Sequence, residues 1–342
     1  MEMSFAGPLV GNAYGEDDGD VAKSQASSTT ASQDEALLRL LHHLAERNYR
    51  FVAPTPATHA RVIGRSERAN ARSLRDVLGW SLPFRSGAID PAIEDMLNAA
   101  KMVEADGELL RSKIRVSSLS EHLFLHSAFP TSEPDAVFFG PDSYRFADLI
   151  RAELTACPKR AGAQIVDIGT GSGVGAIVAS HACPLARVRM TDINPLALRL
   201  ARINAAAAKV KTETFECSTL DAIEGELDIV TANPPYIIDP DCRLYRDGGA
   251  MHGAQVSLDM TRMTLDRLAP GGRMILYTGS AIVGGEDALD QALSWEAHAR
   301  DFELRYREID PDVFGEELEK AVYSDVERIA LVAAVIRRPA DA

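Results

Sequence analysis

Asn233-Pro234-Pro235-Tyr236 places a side-chain amide, two residues without a backbone donor and an aromatic ring in four consecutive positions. Prolines hold φ near a fixed value and carry no N–H, so this loop presents acceptors in a stiff, extended arrangement. Asn233 adds a side-chain carbonyl and Tyr236 a flat ring. Two acceptors and a face suit a planar NH2 group, whose two hydrogens each need a lone pair. The nitrogen of an amide or aromatic amine is a poor nucleophile because its lone pair is delocalised. Accepting both hydrogens localises that pair and stabilises the positive charge that grows during attack, so no strong general base is needed. The same residues also fit a plain strand end, with a Pro-Pro turn and Asn233 satisfying local backbone donors.

A second motif lies upstream, where Ile165-Val166-Asp167-Ile168 reads as a buried strand and runs into Gly169-Thr170-Gly171-Ser172-Gly173-Val174-Gly175. Alternating glycines allow a tight strand-to-helix turn and close approach of a ligand with no Cβ in the way. Asp167 at the strand end would repel a pyrophosphate but can pair with an ammonium, directly or through water, which favours a cationic ligand. Val188-Arg189-Met190-Thr191-Asp192 reads as a second strand ending in an acid, 25 residues after Asp167 (192 minus 167). In doubly wound folds a carboxylate at this place binds ribose hydroxyls, and a helix-capping acid is the competing reading. Asn194-Pro195 then opens a helix with apolar positions Leu196, Leu198, Leu200, Ala201 and Ile203.

In their order and spacing, Asp167 to Gly175, Asp192 and Asn233 to Tyr236 resemble the class I S-adenosylmethionine-dependent methyltransferases. The Asn-Pro-Pro-Tyr signature is similar to that of the release-factor glutamine methyltransferases, and of base-amine methyltransferases acting on DNA or ribosomal RNA. The resemblance covers about residues 136 to 338 and implies an α/β fold: a Rossmann-like, seven-stranded sheet, parallel except for a reversed last strand. It implies S-adenosyl-L-methionine as cofactor, with Asp167 and the loop Gly169, Thr170, Gly171 and Gly173 on its amino acid part and Asp192 on its ribose. Asn233 with the Pro234 carbonyl would hold the acceptor amine, and Tyr236 would stack on it. Many relatives carry an acid beside the adenine after the third strand. Here Cys217 and Ser218 stand at that place, so Ser218 is the expected partner of the exocyclic amine and Ile193 the apolar wall of the ring.

The rest of the chain alternates helix and strand patterns, as an α/β domain over 141–342 requires. Pro270-Gly271-Gly272 is expected to break the chain before a strand at Arg273 to Tyr277, and Phe302 to Ile309 and Arg328 to Ile336 read as the closing strands. The polar stretch between Tyr236 and Leu258 is long for a connector and reads as a substrate lid, with Gly248, Gly249 and Gly253 letting it close; a disordered surface loop is the other reading. In front of this domain, 1–33 reads as a disordered tail without a signal peptide. Residues 34–110 read as a helical substrate-recognition domain, from Leu37, Leu38, Leu40, Leu41 and Leu44 and from Ile93, Met96, Leu97 and Ala100, and 111–140 as a β-rich bridge. Gly140-Pro141-Asp142-Ser143 opens the next helix. Cys157, Cys183, Cys217 and Cys242 lack metal-ligand spacing, so no metal is expected, and they suit a reducing cytoplasm. No stretch reaches membrane-spanning length without charge.

Of the 342 residues, 36 are basic and 50 acidic, a net charge of −14, yet Arg39 to Arg75 holds eight arginines against Glu46 and Glu67. Such a run can track a phosphate backbone or an acidic protein face, or be a solvated surface. Three classes of function follow: a protein-directed N-methyltransferase of the glutamine type, which we favour; an N-methyltransferase for a base amine of RNA or DNA, or for a small-molecule amine; and a nucleotide-binding module or nicotinamide oxidoreductase. The last rests on the loose dinucleotide pattern Gly171 to Ala176, and Asn233 to Tyr236 speak against it.

Overall fold

Alternate residues along the central strands part to opposite faces, the period of two that a covered sheet requires. Ile165, Ile229, Ile275 and Tyr277 join one core cluster, and Val166, Val230, Met274 and Leu276 join the other. The computed structural model describes residues 18–155, 161–241 and 243–340. In chain order the helices are α1 (Asp18–Glu46), α2 (Pro56–Ile63), α3 (Leu74–Leu78), α4 (Pro91–Ala99), α5 (Pro141–Thr155), α6 (Val174–Ala182), α7 (Pro195–Ala207), α8 (Gln255–Leu265) and α9 (Ala288–His298). Two hairpins precede the sheet: β1 (Val103–Asp106) with β2 (Leu109–Ser112), and β3 (Ile114–Leu119) with β4 (His122–Ser127).

The main strands are β5 (Gln164–Ile168), β6 (Arg187–Asp192), β7 (Thr212–Glu216), β8 (Leu227–Ala232), β9 (Leu268–Val283), β11 (Glu303–Asp310) and β12 (Arg328–Arg337), with the two-residue β10 (Glu286–Asp287) folded back on β9. They lie in the order β11-β12-β9-β8-β5-β6-β7. From β7 to β9 every pairing is parallel, and β12 runs antiparallel to both its neighbours. This is the expected sheet, including the reversed last strand. Pro270-Gly271-Gly272 departs from expectation, since it lies inside β9. The register against β8 slips there, from Leu227↔Leu268 to Ile229↔Arg273. A Cβ on Gly272 would stand 2.6 Å from the Leu227 carbonyl oxygen, so the close approach at this bulge needs glycine.

The front of the chain also departs from expectation. Helix α1 begins at Asp18, so residues 18–33 are helical, while 1–17 lie outside the described residues. No glycine or proline interrupts the chain from Asp20 to Glu46, and Asp34 is tied to Arg199 of α7 at 2.6 Å. Tertiary contact thus stabilises a helix that composition alone disfavours. Leu37, Leu40, Leu41 and Leu44 of α1 share a core with Ile93 and Leu97 of α4. The first hairpin starts inside the stretch expected to be helical and runs past its expected end at 110, and the second lies within the expected bridge. Cys183 and Cys217 are thiols, whereas Cys157 and Cys242 lie outside the described residues. Among the described residues no helix is long and apolar enough to cross a membrane, and no cluster of His, Cys, Asp and Glu is placed to hold a metal ion.

Candidate active site

The turn after β5 is built on three glycines in the left-handed region, Gly169 (φ 62°), Gly171 (φ 53°) and Gly173 (φ 86°), which other residues enter only with strain. Asp167 pegs it from beneath. Its carboxylate accepts from Thr170 Oγ1 at 2.6 Å, Ala176 N at 3.0 Å and Thr231 Oγ1 at 2.7 Å. A Cβ on Gly175 would lie 2.1 Å from Asp167 Oδ1, so the glycine in the first turn of α6 is where the peg sits. Burial raises the Asp167 carboxyl to about 6; Thr170, Thr231 and the Ala176 amide oppose the shift, and Asp192 adds slightly to it. Both oxygens are engaged by the chain itself, so holding the turn is the task the geometry shows for Asp167.

Asp192 ends β6 beside that turn, its Oδ2 accepting from Gly171 N at 2.9 Å and its Oδ1 from Asn194 N at 2.9 Å. Burial raises its carboxyl, and the backbone amides of Gly171, Asn194 and Ile193 pull it back. It is not the cap of the next helix. Asn194 has that role, its Oδ1 accepting from Leu196 N at 2.9 Å and Ala197 N at 3.4 Å. Asp192 keeps further lone pairs for vicinal hydroxyls. Ile193 is 50% exposed, unusual for a large apolar residue, and it lines the same cavity as Cys217 and Ser218. That cavity, of about 980 Å3, also takes in the glycine turn and Asn233 to Ile237. Nothing lies within 4 Å of where a Gly171 Cβ would be, so the turn opens on a cradle. An apolar wall, a buried carboxylate and an open glycine turn together fit a nucleoside with a charged tail.

Register brings Asn233 to Tyr236 to this cradle. In the parallel pair β5–β8, Asp167 faces Thr231 and Ile168 faces Ala232, so Gly169 and Asn233 leave the sheet side by side. Adjacent strands are about 4.8 Å apart. The Asn233 side chain is half-buried, lines the cavity and makes no hydrogen bond to another described residue. Pro234 beside it is buried. Tyr236 lines the cavity too but is only 8% exposed, so it offers a smaller stacking area than its residue type suggests.

Among its described residues the stretch expected as a lid is tied back on itself, and its glycines serve close approach. Ile237 forms a parallel bridge with Asp247, and Gly248 N donates to the Ile237 carbonyl at 2.8 Å. A Cβ on Gly253 would stand 2.5 Å from the Tyr236 carbonyl oxygen, and one on Gly248 would stand 1.9 Å from the Gly253 oxygen. Arg243 is held by Asp239 at 2.7 Å, and Arg246 pairs with Glu317. His252 faces Asp325 at 3.1 Å and does not line this cavity. The cavity wall also takes in residues that sequence reasoning did not place there, among them Thr55, Pro56, Ala57 and Arg61 at α2, Phe314, and Asp142, read from the sequence only as part of a helix start. None of them carried a local signal beyond the helix start at Gly140 to Ser143.

Residues 150–295 match the model of the methyltransferase small domain. Among curated relatives, the release factor glutamine methyltransferase of Deinococcus radiodurans is 30% identical over 181 residues, covering 50% of this chain and 64% of that protein. The enzyme of the same name from Bordetella pertussis is 28% identical over 247 residues, 70% of this chain and 88% of that protein. The chain spans 64% and 52% of the length of the Deinococcus and Koribacter versatilis relatives. Among solved structures, M. jannaschii TYW2 in complex with AdoMet aligns with a TM-score of 0.44 at 13% identity over 66% of this chain and 87% of that one.

Proposed function

We propose that this chain is an S-adenosylmethionine-dependent N-methyltransferase whose acceptor is the side-chain amide of a protein glutamine, with a translation release factor as the substrate. The observation that carries this reading is the Ile168↔Ala232 register, which sets the open glycine turn beside a half-buried Asn233 amide with no internal partner. The names of the curated relatives support the protein substrate.

S-adenosylmethionine supplies an electrophilic methyl group on a sulfonium. Asp192 would take the ribose hydroxyls through its remaining lone pairs, Ile193 would cover the adenine and Ser218 would be the partner for the exocyclic amine. Gly169, Thr170, Gly171 and Gly173 would hold the amino acid part, and Asp167 beneath them would add negative charge towards its ammonium. Asn233 and the Pro234 carbonyl each accept one hydrogen of the acceptor NH2, turning its lone pair towards the donor side. Positioning and charge stabilisation supply the rate, as they do wherever polar groups are fixed before reaction.

Incubating the purified chain with methyl-tritiated donor and a purified release factor from the same source tests the proposal. Label should enter the protein and map, by peptide mass spectrometry, to one glutamine amide. Label appearing only in nuclease-sensitive material from a cell extract would move the acceptor to a base amine and overturn the protein reading.

A further inference from the structure

Asp142, in the first turn of α5, receives two phenols. Tyr236 Oη donates to its Oδ2 at 2.9 Å, and Tyr277 Oη, from β9, donates to its Oδ1 at 2.8 Å. All three residues are buried, at 8%, 8% and 0% exposure. Arg145, one turn along α5, lies 3.6 Å from Asp142 Oδ1 and reaches Asp310 Oδ2 at 3.3 Å, so the carboxylate also has a cation beside it. The Tyr236 ring is confined as well. Phe314 meets it edge-on with centroids 5.9 Å apart, and a Cβ on Gly279 would lie 2.3 Å from its Cδ2. From the other side, Gly253 packs on its carbonyl.

A tyrosine ring has two side-chain torsions, and the glycine contact and the hydroxyl anchor together leave it one orientation. The peptide bearing Tyr236 follows Pro235 directly, and its prolines transmit orientation because φ is fixed in both. Pinning the far end of the ring therefore pins the aim of the Asn233 side chain and of the Pro234 carbonyl. We infer that Asp142 is a positioning residue of the acceptor site: through the Tyr236 hydroxyl, with Tyr277 fixing its own rotamer, it sets the direction of the Asn233–Pro234 acceptors without touching the acceptor amide. The inference rests on the N-methyltransferase reading for its kinetic consequence, but the anchoring itself is a property of the chain alone.

The test combines Asp142→Ala, Asp142→Asn, Tyr236→Phe and the double variant Asp142→Ala/Tyr236→Phe in the full chain, each assayed well below its thermal transition. Donor affinity is read by calorimetry, release-factor methylation by kcat and KM, and the Tyr236 ring by 13C NMR on labelled tyrosine. Asp142→Ala and Tyr236→Phe should each lower kcat by roughly tenfold to a hundredfold, the scale of a misaligned reacting group, with the donor dissociation constant unchanged. The double variant should be no worse than the poorer single one, as expected of two groups acting as a unit. Asp142→Asn keeps one acceptor and one donor for two phenols, so it should recover most of the rate. In the NMR spectrum, Asp142→Ala should turn a slowly flipping Tyr236 ring into a fast one.

Losses that multiply in the double variant, or that appear in donor affinity in place of kcat, would overturn the assignment. So would an unchanged ring spectrum in Asp142→Ala. A wild-type chain that binds donor but methylates no protein would instead sink the functional reading, and the ring spectrum would still decide whether Asp142 anchors Tyr236.

Discussion

Asn204 pairs with Leu125 as a neighbouring strand would: its side-chain carbonyl accepts from Leu125 N at 2.8 Å, and its NH2 donates to the Leu125 carbonyl at 3.0 Å. The same NH2 donates to the Ser172 carbonyl at 2.9 Å, inside the glycine turn, and the residue is fully buried. One amide thus ties β4, α7 and the glycine turn together. Asn204→Leu keeps the approximate volume but leaves three backbone groups without a partner. Each buried group left unsatisfied costs about 1–3 kcal/mol, so a loss of roughly 3 kcal/mol or more is expected, read as the shift in urea midpoint. Donor affinity should fall with it, because the turn loses a support.

Gly175→Ala should disable donor binding through sterics alone, since α6 gives that residue an ordinary helical backbone and the new Cβ meets the Asp167 carboxylate. Overpacking of this kind costs about 1–3 kcal/mol, and the displaced carboxylate releases the turn. Gly107→Ala is the control. Its φ of +64° carries strain but no atom lies within 4 Å, so about 1 kcal/mol should be lost with donor affinity intact. Calorimetry with S-adenosylmethionine separates the two.

Asn233→Ala and Asp192→Ala should fail in opposite ways. Removing the Asn233 amide should lower kcat by about a hundredfold while the donor dissociation constant stays near its original value, the pattern of a contact made in the transition state. Asp192→Ala should first weaken donor binding. Full turnover by Asn233→Ala, with chemistry limiting and donor saturating, would contradict the acceptor site.

Stability should depend on pH through Asp167. Its carboxyl sits at about 6 in the folded chain against 3.8 for an unburied one, so the folded chain holds this proton to higher pH than the unfolded chain. The stabilisation is therefore complete below about pH 4 and lost as pH rises through about 6, a change on the order of 3 kcal/mol from this group. Asp142 and Asp192 shift in the same direction and add to the slope. Urea titrations at pH 4.5 and 7 should show the fall in the ligand-free chain, and Asp167→Asn should flatten it.

What the sequence disclosed is what local backbone chemistry dictates. The strand ends at the glycine turn, at Asp192 and at Asn233 to Tyr236 were readable as local structure because each needs particular residue types within a few positions. Asp142 was not, because its partners Tyr236 and Tyr277 lie 94 and 135 residues away, and nothing near Asp142 marks them. The Pro270 to Gly272 bulge misled for a related reason: these residues normally end a strand, and only the register against β8 shows one continuing through them. Helix α1 was hidden because its first half is polar, and its anchor to Arg199 is a distant contact.

That helix has a practical corollary. Because α1 packs on both α4 and α7, with the Asp34–Arg199 ion pair riveting the seam, the helical front of the chain is splinted to the central sheet. A chimera that transplants residues 34–110 onto another catalytic domain would inherit a helix with a bare flank. Retargeting this scaffold therefore means exchanging the outer surface of α7 as well, so that seam and module travel as one cassette.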